Sequence, residues 1–102
     1  MSHQTEAETA NDGAFQGRCR ISLANKCRTI FQDESASDLD LDIARRVAGN
    51  RRFVREVAYM LAGSGLNHES TDAELDAEVE TLWPLTIAYQ SGALPSPEAE
   101  GE

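Results

Sequence analysis

Apolar residues recur at spacings of three and four from Phe15 to Tyr89 and nowhere alternate at two for long enough to build a strand, which commits the chain to helices. Phe15, Cys19, Leu23, Cys27, Ile30 and Phe31 share one broad stripe of a first helix. Leu39, Ile43 and Val47 repeat every four residues in a second; Phe53, Val54, Val57, Tyr59, Met60 and Leu61 mark a third; Leu75, Val79 and Leu82 line one face of a fourth. Trp83, Tyr89 and Phe53 are expected in the core, because so few aromatics are present to fill it.

The boundaries follow from capping chemistry. Asn11 or Asp12 is placed to cap the first helix, which should end near Gln32. Ser37 followed by Asp40 resembles a capping box with the shorter acid, and Thr71 with Glu74 is a standard one. Gly63, Ser64 and Gly65 end the third helix. Pro84 either kinks the fourth helix or opens a short fifth one with Leu85, Ile87 and Tyr89. The expectation is an all-α bundle of four to five short helices over residues 14–90. Residues 1–13 and the acidic residues 91–102 read as disordered tails, too poor in apolar surface to offset ordering entropy.

Gly49-Asn50 admits two readings. As a helix stop followed by a cap, it places Arg51, Arg52 and Arg55 in or near the first turn of the third helix. There they add to the partial positive charge of the helix start, at about 0.3–1 kcal/mol each. A continuous helix through Gly49 would remove that cost. If the helix breaks, the arginines are tolerated for a partner's sake.

Charge is sorted into blocks. Arg18, Arg20, Lys26 and Arg28 precede Asp33, Glu34, Asp38, Asp40 and Asp42; Arg45, Arg46, Arg51, Arg52 and Arg55 precede Glu69, Asp72, Glu74, Asp76, Glu78 and Glu80. Separated faces of both signs can dock on a copy of the same chain or on a polar partner with fixed register. Glu74 with Glu78, and Asp76 with Glu80, stand four apart without a cation in the same helix, so an external cation should relieve them; the arginines of the third helix are the expected source. The net charge of -9 opposes nonspecific nucleic-acid binding by the whole surface. A single core of this size supplies only ~3–5 kcal/mol, and oligomerisation is one common support.

Chemistry-bearing motifs fail on spacing. Asp38, Asp40 and Asp42 open like a calcium loop, but Ile43 stands where the turn needs Gly and Gly49 where a bidentate Glu is needed. His3 and His68 have no second ligand at zinc spacing. His68, Glu69 and Ser70 are sequence neighbours in a loop, which does not make a triad. Cys19 and Cys27 are eight residues apart in one helix, a rise of roughly 12 Å against the ~7 Å limit of a disulfide, and read as buried apolar thiols. No catalytic residue, cofactor, metal or small-molecule substrate is expected, and neither a membrane span nor a secretory signal is visible. The chain is expected to be made in a cytoplasm.

Asp42 to Asn50 (DIARRVAGN) leading into a second helix, and Thr71 to Trp83 (TDAELDAEVETLW) as a capped acidic helix near the end, give an order of elements that resembles the small helical virion proteins of tailed bacteriophages and related archaeal viruses, found in head completion, neck or tail assembly. The resemblance implies a non-enzymatic structural part, such as a head-tail connector, repeated around a ring or shell, located in the virion and partnered by other virion proteins and by itself. The expected contact joins Arg45, Arg46, Arg51, Arg52 and Arg55 to Glu74, Glu78 and Glu80 of the next copy. The alternative is a small helix-turn-helix-like DNA-binding regulator using the same arginines.

Overall fold

The computed structural model describes residues 6–94, and they form an all-α fold. The helices are α1 (Glu6–Ala10), α2 (Gly13–Gln32), α3 (Asp38–Val47), α4 (Arg51–Gly63), α5 (Asp72–Leu82) and α6 (Ala88–Ser91), with a π-helical turn over Trp83–Ile87 joining the last two.

Capping residues set most boundaries. Asp12 accepts from the Ala14 N–H and starts α2; Ser37 accepts from the Asp40 N–H and starts α3. Thr71 and Glu74 make the reciprocal capping box of α5. The chain breaks between α3 and α4: Gly49 takes φ +74°, a left-handed turn that favours glycine, and Asn50 Oδ1 accepts from the Phe53 N–H at 3.0 Å.

α2 is the central element, packing against α3, α4 and α5. Phe15, Cys19, Leu23 and Cys27 are buried along it, opposite Ile43, Val47, Phe53, Val57, Leu61, Leu75, Val79 and Ile87. Burial pushes the Cys19 thiol up to about 12, with Arg18 opposing, and the Cys27 thiol up to about 11, with Lys26 opposing. Both thiols are free.

Four expectations are corrected. The N-terminal tail is ordered at its end: α1 packs on α4, Thr9 and Ala10 are buried, and Gln16 Nε2 donates to Ala10 O at 2.8 Å. Two small side chains sufficed for burial where the sequence offered no large apolar residue. The C-terminal boundary also moves, since Ser91 is buried and Leu94 packs against the core. The remaining tail residues, 1–5 and 95–102, lie outside the described residues. Phe31 is exposed, because it lies about 100° around the helix from Ile30, which takes the inward position. Tyr89 is 82 % exposed, pointing out of the short α6 while Ser91 points in; Trp83 and Phe53 are buried as expected.

Pro84 neither stops the helix nor opens a separate one. It has no N–H for the carbonyl four residues back, and its ring crowds that carbonyl. The helix widens instead, and the Ala88 N–H reaches back to Trp83 O across one π turn.

Candidate cationic docking surface

Three arginines converge where α2 and α4 begin. Gly13 is the first residue of α2 and Gly17 lies one turn on; neither has a side chain to fill the space above it, and an added Cβ at either would meet nothing within 4 Å. The opposite wall is Gly49 with Arg51, Val54 and Arg55, and Arg20 completes the rim from α2. The result is an open groove of about 720 Å³. A second groove of about 420 Å³ shares Arg55 and adds Arg52, Glu56 and Tyr59. Arg51 and Arg55 are spaced four apart and Arg52 and Arg55 three apart, so one helix presents all three around its first turns.

The electrostatics reinforce this arrangement. The first residues of two helices line the groove, so two positive dipole ends add to three guanidinium groups. Among the described residues, the salt bridges are Arg18–Asp72, Lys26–Glu80, Arg46–Asp42 and His68–Asp12, and none reaches Arg20, Arg45, Arg51, Arg52 or Arg55. A comparison with protein-family models, curated proteins and solved structures finds no match to this chain.

The expected Arg cluster is therefore divided. Arg51 and Arg55 meet in the main groove and Arg52 in its neighbour, while Arg45 is exposed on α3 outside both. Arg46 is engaged within the fold: its Nε donates to Asp42 Oδ2 at 2.9 Å and its Nη1 to Leu94 O at 2.7 Å. Arg20 joins the site although the sequence reading left it out. The signal was present in Gly13, Gly17 and Arg20, which share one face of α2 at spacings of four and three.

The acidic side is corrected more fully. Glu74 is held in the capping box of Thr71, Glu78 Oε2 accepts from Ser64 Oγ at 3.0 Å, and Glu80 pairs with Lys26. The cations relieving α5 come from α2 and not from α4. Arg18 donates to Asp72, Ser22 to Asp76 and Lys26 to Glu80, each 54 residues apart. Equal steps along both helices mean that α2 and α5 run parallel, and α3 and α4 supply the crossover between them. Lys26 also lies 5.3 Å from the centroid of the Trp83 ring.

The loop residues that suggested chemistry have structural partners. Ser70 Oγ accepts from the Asn67 N–H, and His68 Nδ1 lies 3.5 Å from Asp12 Oδ2. Among the described residues, no group of three His, Cys, Asp or Glu is placed to hold a metal ion.

Proposed function

We propose that this chain is a non-enzymatic structural module that docks on an acidic partner protein through Arg20, Arg51, Arg52 and Arg55. The virion resemblance gives the setting: a small part of a tailed-virus particle, repeated so that individually weak contacts add up. One observation carries the reading. Among the described residues no ion pair engages Arg20, Arg51, Arg52 or Arg55, although Glu56 shares the second groove with Arg52 and Arg55, while the acids of α5 already have partners. Four outward guanidinium groups beside an exposed Tyr59 suit a polar, steered interface. Glu74, Glu78 and Glu80 each hold a partner within their own chain, which favours acids on another protein over these three of the next copy.

The DNA-binding alternative has weaker geometric support. In this fold α3 and α4 each pack chiefly on α2, whereas a helix-turn-helix packs its two helices on each other.

Fluorescence anisotropy with a labelled hexaglutamate peptide, and separately with a short DNA duplex, tests the proposal. Salt-sensitive binding of the peptide, lost in the Arg20→Gln/Arg51→Gln/Arg55→Gln variant, is the expected result. Tighter binding of the duplex by the same arginines would favour the regulator. Binding of neither would overturn the docking reading.

A further inference from the structure

The outer side of α2 carries an uncovered seam. Ala14, Gly17, Ile21, Ala24, Arg28 and Phe31 recur at alternating steps of three and four, the repeat with which one helix packs along another. They lie on the side of α2 away from Phe15, Cys19, Leu23 and Cys27, which are buried in the core. Ile21 is 59 % exposed and Phe31 47 % exposed. Ala14, Ala24 and Arg28 are exposed as well, and Gly17 is half-buried in the wall of the main groove. The seam therefore begins at the arginine groove and runs the length of α2.

A second copy of the chain fits this seam. Turned antiparallel about the point midway between Ile21 and Ala24, the seam sets Phe31 against Ala14 of the second copy, Ile21 against Ala24 and Arg28 against Gly17, so a large side chain meets a small one in every layer. The reversal also brings the C-terminal end of one α2 beside the start of the other, where Arg20, Arg51 and Arg55 converge. Glu34, Asp38 and Asp40 stand at that C-terminal end, in the turn after α2 and the first turn of α3. Among the described residues, no salt bridge reaches these three acids or those three arginines. The acids of α5 are engaged, but those of the α2–α3 corner are not. A seam ~30 Å long and one helix, ~10 Å, wide covers roughly 300 Å² per copy, less than half of the ~800 Å² typical of a stable interface, so the two charged ends must complete the contact.

We propose that two copies pair through antiparallel α2 seams, each setting Glu34, Asp38 and Asp40 against Arg20, Arg51 and Arg55 of the other. This rests on the docking reading above and names an acidic partner for the main groove; the second groove, with Arg52 and Tyr59, stays open to another protein. The pairing is isologous, so both main grooves are filled at once and association through this face stops at two. Arg28 opposes it, since it lands one turn from Arg20 of the second copy. A lone polar residue in a seam fixes the register at a cost in affinity.

Sedimentation equilibrium of the full chain, from micromolar to near-millimolar concentration, tests the pairing, and a weak monomer–dimer equilibrium is expected. Ile21→Gln/Phe31→Gln changes two exposed side chains and should weaken the dimer about tenfold. Glu34→Gln/Asp38→Asn/Asp40→Asn should weaken it about fivefold at low salt and little at high salt. Arg28→Ala should strengthen it. Arg51→Glu/Arg55→Glu should abolish it, and Glu34→Lys/Asp38→Lys added to that variant should restore it. A short bismaleimide reads the orientation: Ala14→Cys mixed with Gln32→Cys should cross-link and neither alone should, because antiparallel helices hold these positions more than ~25 Å from their own copies. The native thiols are buried and stay out of the reaction. A dimer unmoved by the seam variant, or Ala14→Cys cross-linking to itself, would overturn the antiparallel pairing. A dimer unmoved by both charge variants would overturn the part given to the groove. A chain that stays monomeric yet binds hexaglutamate through its arginines would overturn the second copy as partner and leave the docking reading standing. A monomer that also fails to bind the peptide would overturn both.

Discussion

Ser22 Oγ donates to Asp76 Oδ1 at 2.5 Å, from a buried position on α2 to an exposed one on α5. The bond sits between Arg18–Asp72 and Lys26–Glu80, so one buried hydroxyl and two flanking cations align two parallel helices that are distant in sequence. Apolar packing of Leu23 and Cys27 near Leu75 and Val79 supplies the attraction, but it tolerates sliding. A polar ladder with a step of four on both helices does not, because a slip of one residue separates all three pairs at once.

The ladder predicts an unequal division of stability. Ser22→Ala should cost about 1 kcal/mol, since it leaves no donor for a charge-assisted bond at a half-dry position. Arg18→Ala and Lys26→Ala should cost only ~0.5 kcal/mol each, because their acids are exposed and screened. Urea denaturation at low and high salt measures this. The Ser22 effect should persist in high salt and the other two should shrink; a Ser22→Ala/Asp76→Ala pair that is fully additive would refute the coupling.

Local grammar was readable in the sequence and tertiary register was not. Asp12, Ser37, Asn50 and Thr71 could be read as caps because each acts on backbone two or three residues away. The inward stripe of α2 was readable for the same reason, except at Phe31, where two adjacent apolar residues competed for one position. The pairing of α2 with α5 depends on a crossover of two helices, and periodicity within a helix carries no information about that. The block of acids looked unpartnered because its cations lay 54 residues away. Of the expected arginines, Arg51, Arg52 and Arg55 line grooves as neighbours on one helix, but Arg46 is drawn off by Leu94, a contact no local pattern announces.

The α3–α4 corner depends on two adjacent residues in different ways. Gly49→Ala should cost about 1–2 kcal/mol from backbone strain alone, because φ is +74° and nothing crowds an added Cβ. Asn50→Ala should cost about 1–2 kcal/mol by removing the acceptor of the Phe53 N–H at a buried cap. Thermal melts check both. Asn50→Asp should recover much of the loss, since a carboxylate also caps, whereas Gly49→Asn should recover more than Gly49→Val because Asn tolerates the left-handed region.

Alkaline pH should destabilise the chain through its two buried thiols, Cys19 and Cys27. The folded thiols are raised, Cys19 to about 12 and Cys27 to about 11, from an ordinary value near 9, mainly by burial. A raised group leaves stability intact below its unfolded value and removes it as pH climbs toward the folded one, because only the unfolded chain releases the proton easily. Stability should therefore hold to about pH 9 and fall between there and pH 11 to 12. The Cys19→Ala/Cys27→Ala variant, although less stable at neutral pH, should lose this part of the slope in denaturant titrations. At neutral pH neither native thiol should react with a thiol reagent faster than the chain opens.

The docking arginines should themselves oppose folding. Arg51 and Arg52 occupy the first two positions of α4, where the exposed N–H groups already present positive charge, and no acid stands in that turn. Each placement costs about 0.3–1 kcal/mol by the dipole alone, and Arg20 and Arg55 across the groove add like-charge repulsion. Arg51→Gln and Arg52→Gln should each raise the melting temperature at low salt, and Arg51→Glu should raise it further. The gains should fade in high salt, where both unfavourable terms are screened. The same substitutions should weaken hexaglutamate binding, so stability and docking move in opposite directions along one series. A loss of stability on replacing either residue would mean that the guanidinium groups serve the fold, and the argument that they are kept for a partner would fail.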